Sequence, residues 1–171
     1  PSKYLQPIKN EKQATYMFWL MIDQKAFSKM NNKDQYILKH GNNITIHASY
    51  IEPRIGFTIF NNDNNPVNII DTTYPFGEWV HYCITINDRI VELYKNATLE
   101  QTIILNNANN IVSNDIEITR TENENGTKNS PYLLYNMSYL MFLNSVPIPE
   151  DIYKIYKNQY NMIAYEYDSD K

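Results

Sequence analysis

Few residues of this chain have a type and spacing that could do chemistry. The nearest approach to a catalytic carboxylate pair is Asp115-Ile116-Glu117, followed by Glu122 and Glu124. On a strand, Asp115 and Glu117 share a face, and two carboxylates facing each other across a cleft can hydrolyse a glycosidic bond. The third acid is out of step and a polar loop intervenes, so a solvated outer strand face is the expectation. The only histidines are His40, His47 and His81. His40 and His47 lie on neighbouring predicted strands, but zinc would need further nitrogen or sulfur ligands and none is evident. Ordinary strand histidines are expected, and metal ligands stay unassigned. Cys83 sits mid-strand and reads as a small buried apolar residue. Asp63, with Asn61, Asn62 and Asn64, offers oxygen ligands without the D-x-D-x-D-G spacing of a calcium loop. An Asn-rich solvated loop is expected there, so no cofactor is assigned and calcium alone stays open. Tyr50, Tyr74 and Tyr132 fall at strand ends or turns, where ring faces can stack on a sugar. They are the candidate carbohydrate-binding residues. No Ser–His–acid order and no Gly-rich phosphate loop is present.

Composition narrows the class further. The chain has 171 residues, enough for one domain with a sizeable core. Its net charge is −4 and its basic residues are scattered among acids, which disfavours binding to nucleic acid through phosphates. A single cysteine excludes an internal disulfide framework. No apolar run approaches the length that crosses a bilayer, so membrane association is expected only through an anchor outside this chain. The chain opens at Pro1, not Met, which fits a piece of a longer or processed protein. Of the N-x-[ST] sequons at Asn43, Asn96, Asn125 and Asn136, only Asn125 is expected to be readily accessible.

The elements that must position these residues are short strands. Thr15–Ile22 reads as a fully buried strand, and Gln35–His40 turns through Gly41-Asn42-Asn43 into the next. Period-two alternation runs through Ile44–Tyr50 and Arg54–Phe60, with one face buried. Val67–Ile70 is short, and Tyr74-Pro75-Phe76-Gly77 is a turn. Trp79–Asn87 and Arg89–Lys95 form a hairpin tightened at Asn87-Asp88, residues that tolerate positive φ. Thr98–Leu105, Asp115–Arg120 and a long, bulge-prone Tyr132–Leu143 complete the strands. One helix begins at Pro149, with Glu150 and Asp151 in its first turn and Ile152, Ile155 and Tyr156 on one face. Many short strands with turns between them predict an all-β, two-sheet antiparallel sandwich with one short C-terminal helix. The predicted division is an N-terminal arm over 1–14, a single domain over 15–160 and an acidic tail over 161–171.

Three segments in this order resemble the concanavalin A-like lectin/glucanase superfamily in its laminin-G-like branch. They are Phe18-Trp19-Leu20; Trp79-Val80-His81-Tyr82 leading to Val91-Glu92-Leu93-Tyr94-Lys95-Asn96; and Leu140-Met141-Phe142-Leu143-Asn144 followed by Ile148-Pro149-Glu150-Asp151-Ile152 and Ile155-Tyr156. The likeness spans roughly Thr15 to Gln159 and implies a jelly roll. One departure stands out: Ala97 follows Asn96 where the family usually has Gly, so that turn is expected to be reshaped. The Trp79–Tyr82 strand and the Asn87–Tyr94 hairpin are most similar to laminin-G-like proteins of large DNA viruses. Those relatives are often virion components anchored ahead of the domain; the same jelly roll also occurs in clostridial toxin binding regions.

The resemblance implies a non-catalytic structural or interaction domain on a virion, or otherwise at a cell surface or outside the cell. Its partners would be other virion or assembly proteins. Two alternatives stay open. A carbohydrate-binding module for attachment requires a sheet face or loop rim with convergent aromatic and amide groups. A glycoside hydrolase, the disfavoured reading, requires Asp115 and Glu117 to face a cleft.

Overall fold

The computed structural model describes residues 11–23, 35–49, 54–61, 65–109, 111–112, 115–118 and 135–169. The strands are β1 (Gln13–Ile22), β2 (Gln35–His40), β3 (Ile44–Ser49), β4 (Arg54–Ile59), β5 (Val67–Asp71), β6 (Val80–Asn87), β7 (Ile90–Lys95), β8 (Thr98–Ile104), β9 (Ile116–Ile118) and β10 (Tyr135–Leu143), followed by helix α1 (Pro149–Ser169). They form two five-stranded antiparallel sheets. The first has the order β10-β1-β6-β7-β8 and the second β5-β4-β3-β2-β9. The predicted antiparallel sandwich is therefore present, and over the described residues the strand limits differ from those expected by at most two residues. The helix runs on through the segment read as an acidic tail, because no Pro or Gly interrupts it between Glu150 and Ser169.

Alternation decides which side chains meet between the sheets. Val80, Tyr82, Ile84 and Ile86 of β6 face Ile55, Phe57 and Ile59 of β4 and Ile44, Ile46 and Ala48 of β3 in one apolar core. The reverse face of β1 and β6 is also buried, which period-two reasoning alone does not require. Helix α1 lies across it and closes a second cluster of Met17, Cys83, Tyr94 and Ile152. Ile152, Tyr156, Gln159 and Ile163 recur at helical spacing on the inward stripe. The Trp19 indole stacks on the Tyr156 ring, with centroids 5.5 Å apart and planes inclined at 15°. Its N–H donates to Gln159 Oε1 at 2.8 Å.

Two irregularities adjust the first sheet. The β1–β10 register shifts between Met17 and Trp19, and Tyr139 has a φ of 50° there, so β10 carries the bulge its sequence suggested. The two-residue β7–β8 turn places Asn96 at φ 50° and Ala97 at φ 62°. This is the geometry that favours Asn-Gly, so the turn keeps its shape and the Cβ of Ala97 bears the strain. Asn96 also docks the turn: its Oδ1 accepts from the His81 N–H at 3.0 Å, and its own N–H donates to His81 O at 2.8 Å. Ala97→Gly is expected to raise stability by about 1 kcal/mol, moving the thermal midpoint up by about 3 °C. An unchanged or lower midpoint would show that the alanine is not strained.

Candidate functional site

The outer face of the first sheet is largely taken by α1, but no described helix crosses the outer face of the second. Register assembles a row there from four strands: Tyr36 pairs with His47, His47 with Gly56, and Gly56 with Ile70. Their neighbours Ile46, Ala48, Ile55, Phe57 and Ile69 point inward to the core. Tyr36 is 60% exposed and Ile70 is 42% exposed. The Tyr36 and His47 rings meet edge to face, with centroids 6.5 Å apart. Gly56 makes this possible. A Cβ at that position would stand 2.3 Å from His47 Nε2 and 2.5 Å from Cε1, so the imidazole covers bare backbone.

A polar row runs alongside. Lys39 pairs with Thr45, Thr45 with Thr58 and Thr58 with Asn68, and Glu117 of β9 lies beyond Lys39. The Thr58 hydroxyl donates to Asn68 Oδ1 at 2.7 Å. The face thus joins an exposed aromatic ring and an imidazole to hydroxyl, amide and ammonium groups. Such a surface can stack on a ring and hydrogen-bond its substituents.

A second polar group bridges the sheets. Asp71 Oδ2, on β5, is 2.9 Å from Lys95 Nζ, and the Tyr82 hydroxyl donates to the same oxygen at 2.6 Å. Asp71 Oδ1 accepts from the backbone N–H and the hydroxyl of Thr73, at 2.8 and 2.9 Å. Burial alone would raise the carboxyl pKa, but the Lys95 ammonium, the Tyr82 hydroxyl and Thr73 together outweigh it and hold the group below its ordinary value. Every oxygen of this site is engaged within the protein, so it is a structural clamp.

The residues singled out from sequence are placed differently from one another. Tyr74, expected to offer an exposed ring, is buried. It is 5% exposed, its hydroxyl donates to Leu20 O and accepts from the Ile22 N–H, both at 3.0 Å, and its ring stacks beside Tyr82. It ties the turn before β6 to the end of β1, and burial pushes its hydroxyl pKa up. Tyr50 and Tyr132 lie outside the described residues. Asp115 and Glu117 are both exposed. His40 and His47 sit on opposite faces of the β2–β3 hairpin. His40 is buried with Nδ1 2.8 Å from the Tyr16 hydroxyl and its ring edge-on to Phe142. Cys83 is buried, as its sequence position suggested, and burial raises its thiol pKa. Asn43 is fully buried, with its amide paired to both backbone groups of Val112. Among the described residues, no group of three His, Cys, Asp or Glu is placed to hold a metal ion.

The Tyr36–His47–Gly56–Ile70 row escapes sequence reading because it is a property of register. His47 on its own reads as an ordinary strand histidine. The bulge at Ile37, which brings Tyr36 opposite His47, leaves no turn residue to mark it.

Two five-stranded antiparallel sheets around one core define a concanavalin A-like jelly roll. The chain belongs to the concanavalin A-like lectin/glucanases superfamily, whose laminin-G-type family model matches residues 4–133. Sequence comparison with curated proteins gives no match. Among solved structures, the chain is similar to the binding domain of botulinum neurotoxin serotype D, with a TM-score of 0.70 and 15% identity over 91% of this chain and 39% of that one. The receptor-binding domain of botulinum neurotoxin type G gives a TM-score of 0.64 and 16% identity over 86% of this chain and 38% of that one. The serotype D ligand-binding domain in complex with N-acetylneuraminic acid gives 0.65 and 15%, over 86% and 37%. The chain therefore spans well under half the length of these neighbours, and at this identity the likeness is one of fold.

Proposed function

We propose that this domain is a non-catalytic attachment module that binds carbohydrate on the outer face of its second sheet. The observation that carries this reading is the Tyr36–His47–Gly56–Ile70 row beside the Lys39–Thr45–Thr58–Asn68 row. It meets the requirement for convergent aromatic and amide groups on one sheet face. Membership of a lectin-containing superfamily supports it, as does a fold shared with a binding domain solved with N-acetylneuraminic acid. The exposure of Asp115 and Glu117 argues against hydrolysis, which needs two carboxylates flanking a bound sugar. An attachment module would work at a cell surface, outside the cell or on a particle.

The test is a glycan array probed with the purified domain, with and without calcium, alongside Tyr36→Ala and Gly56→Ala. Specific binding by the parent domain is expected, weakened about tenfold in Tyr36→Ala, the scale of one lost aromatic stack. Gly56→Ala should also weaken it, by displacing the His47 ring. Silence in both conditions, or binding indifferent to Tyr36, would overturn the assignment. Loss of binding on calcium removal would assign the ion a part in holding the sugar.

A different surface favours a second reading, assembly with other proteins of a virion. Edge strand β8 presents an exposed ladder, with Ile104 67% and Leu99 48% exposed, and Ile90 of β7 is paired to Ile104 and 43% exposed. The similarity of Trp79–Tyr82 and Asn87–Tyr94 to laminin-G-like proteins of large DNA viruses points the same way. Under this reading the array stays silent, and replacing Ile104 with Lys abolishes co-assembly with the partner proteins.

A further inference from the structure

His81 stands out among the buried polar groups. It is 0% exposed, and neither ring nitrogen has a hydrogen-bond partner among the described residues. Its imidazole lies between the Trp19 indole, 5.2 Å away centroid to centroid, and the Tyr156 ring of α1 at 5.7 Å. A neutral ring tolerates this aromatic slot, whereas an imidazolium there would be a buried cation with no acceptor for either N–H among the described residues. The slot is closed from one side by the helix, whose polar tie to the sheet at this point is the Trp19–Gln159 hydrogen bond.

Among the described residues, the groups around the ring offer no counter-charge. From β1 comes Trp19, and Cys83 follows on the same face of β6. The β7–β8 turn contributes Asn96, engaged with the His81 backbone. From α1 come Tyr156, with Gln159 and Tyr160 against the neighbouring Trp19. The nearby charges are committed elsewhere: Glu92 accepts from Tyr94 and Thr85, and Lys157 lies over the Tyr153 ring.

We propose that α1 is an acid-sensitive latch, held against the first sheet while His81 is neutral and released when its imidazole is protonated. Release would uncover the Trp19, His81 and Cys83 face of β1 and β6, an aromatic surface on the side of the sandwich opposite the Tyr36 row. The latch works whether or not the Tyr36 face binds carbohydrate.

Burial pushes the His81 pKa down from 6.5 to about 4. The released state, with an ordinary imidazole, takes up a proton that the latched state refuses, so acid favours release between those two values. From about pH 7.5 to about pH 4.5 the opening equilibrium of the helix should rise roughly 70-fold.

The experiment is amide hydrogen exchange on the full chain across that range, corrected for intrinsic rates, comparing residues 150–163 with β3 and β4. Trp19 fluorescence in a Trp79→Phe background gives a second readout. Exchange of the helix should accelerate while β3 and β4 stay protected, and Trp19 emission should shift to the red over the same interval. His81→Phe keeps an aromatic ring in the slot and should abolish both responses. If that variant does not fold, the imidazole proton shifts of the parent chain decide: His81 must titrate together with helix release. Helix protection unchanged down to about pH 4.5, or the same acceleration in His81→Phe, would overturn the latch. Simultaneous loss of protection in β3 and β4 would also overturn it, by showing global acid unfolding.

Discussion

Asp71→Ala should lower the free energy of unfolding by about 3–5 kcal/mol, the range for removing one member of a buried ion pair. Asp71 and Lys95 expose only 6% and 12% of their side chains, so water screens the pair little. Removing the carboxylate leaves a buried ammonium whose remaining acceptors are the carbonyl and hydroxyl oxygens of Thr73. It also strands the Tyr82 hydroxyl, which is buried among core rings. The clamp joins β5 of one sheet to β6 and β7 of the other, so its loss should loosen the sandwich as a whole. Lys95→Met in the Asp71→Ala background should recover much of the loss, because no charge then remains buried. Urea denaturation of the four proteins of this cycle measures the coupling. A loss under about 1 kcal/mol for Asp71→Ala would mean that water reaches the site. The pH dependence has a definite sign. The folded carboxyl pKa is depressed, so its contribution is complete above the unfolded value of about 3.9 and disappears as pH falls through the folded one. The difference between the parent and Asp71→Ala should therefore shrink below about pH 4.

This clamp shows where sequence reading stops. Val67–Ile70 reads as a strand that ends one residue before Asp71, and nothing in the chain marks Lys95 as its partner. The pairing depends on the stacking of two sheets, which no local pattern encodes. Most strands are legible for the opposite reason. In Ile44–Ser49 and Arg54–Ile59 the apolar residues alternate because one face of each strand meets the core, so burial writes the pattern directly. In β6 the alternation is obscured, since His81, Cys83 and Thr85 are as buried as Val80 and Tyr82. The covering helix explains the difference. One candidate ring, Tyr74, is buried. Placement at a turn suggested an exposed ring for Tyr74, but its hydroxyl is needed to satisfy backbone groups at the end of β1. The Tyr36 row required the register of four strands and a bulge, which period-two counting along any single strand does not supply.

Trp19→Ala is expected to cost about 3–5 kcal/mol, as for other fully buried tryptophans. The loss should be unevenly distributed, because Trp19 belongs to the interface between β1 and α1. Its ring is the one on which Tyr156 stacks and Tyr160 leans, and its N–H is the donor that Gln159 Oε1 accepts. Truncation leaves a cavity on the helix side of the sheet, while the Tyr16, Phe18 and Leu20 side chains still fill the core between the sheets. Hydrogen exchange should therefore show α1 opening at a lower free energy than β3 or β4, while in the parent chain the two are closer. Trp19→Phe separates the contributions. It keeps much of the ring volume and removes the indole donor, so it should cost about 1–2 kcal/mol, the scale of one unpaired buried acceptor. If Trp19→Ala lost stability evenly across both sheets, the helix and the sandwich would form a single cooperative unit. Neutral His81 could then not hold a latch that opens on its own. Uneven loss would instead make the Trp19–Tyr156–Gln159 contact the boundary between two units of different stability, with His81 at that boundary.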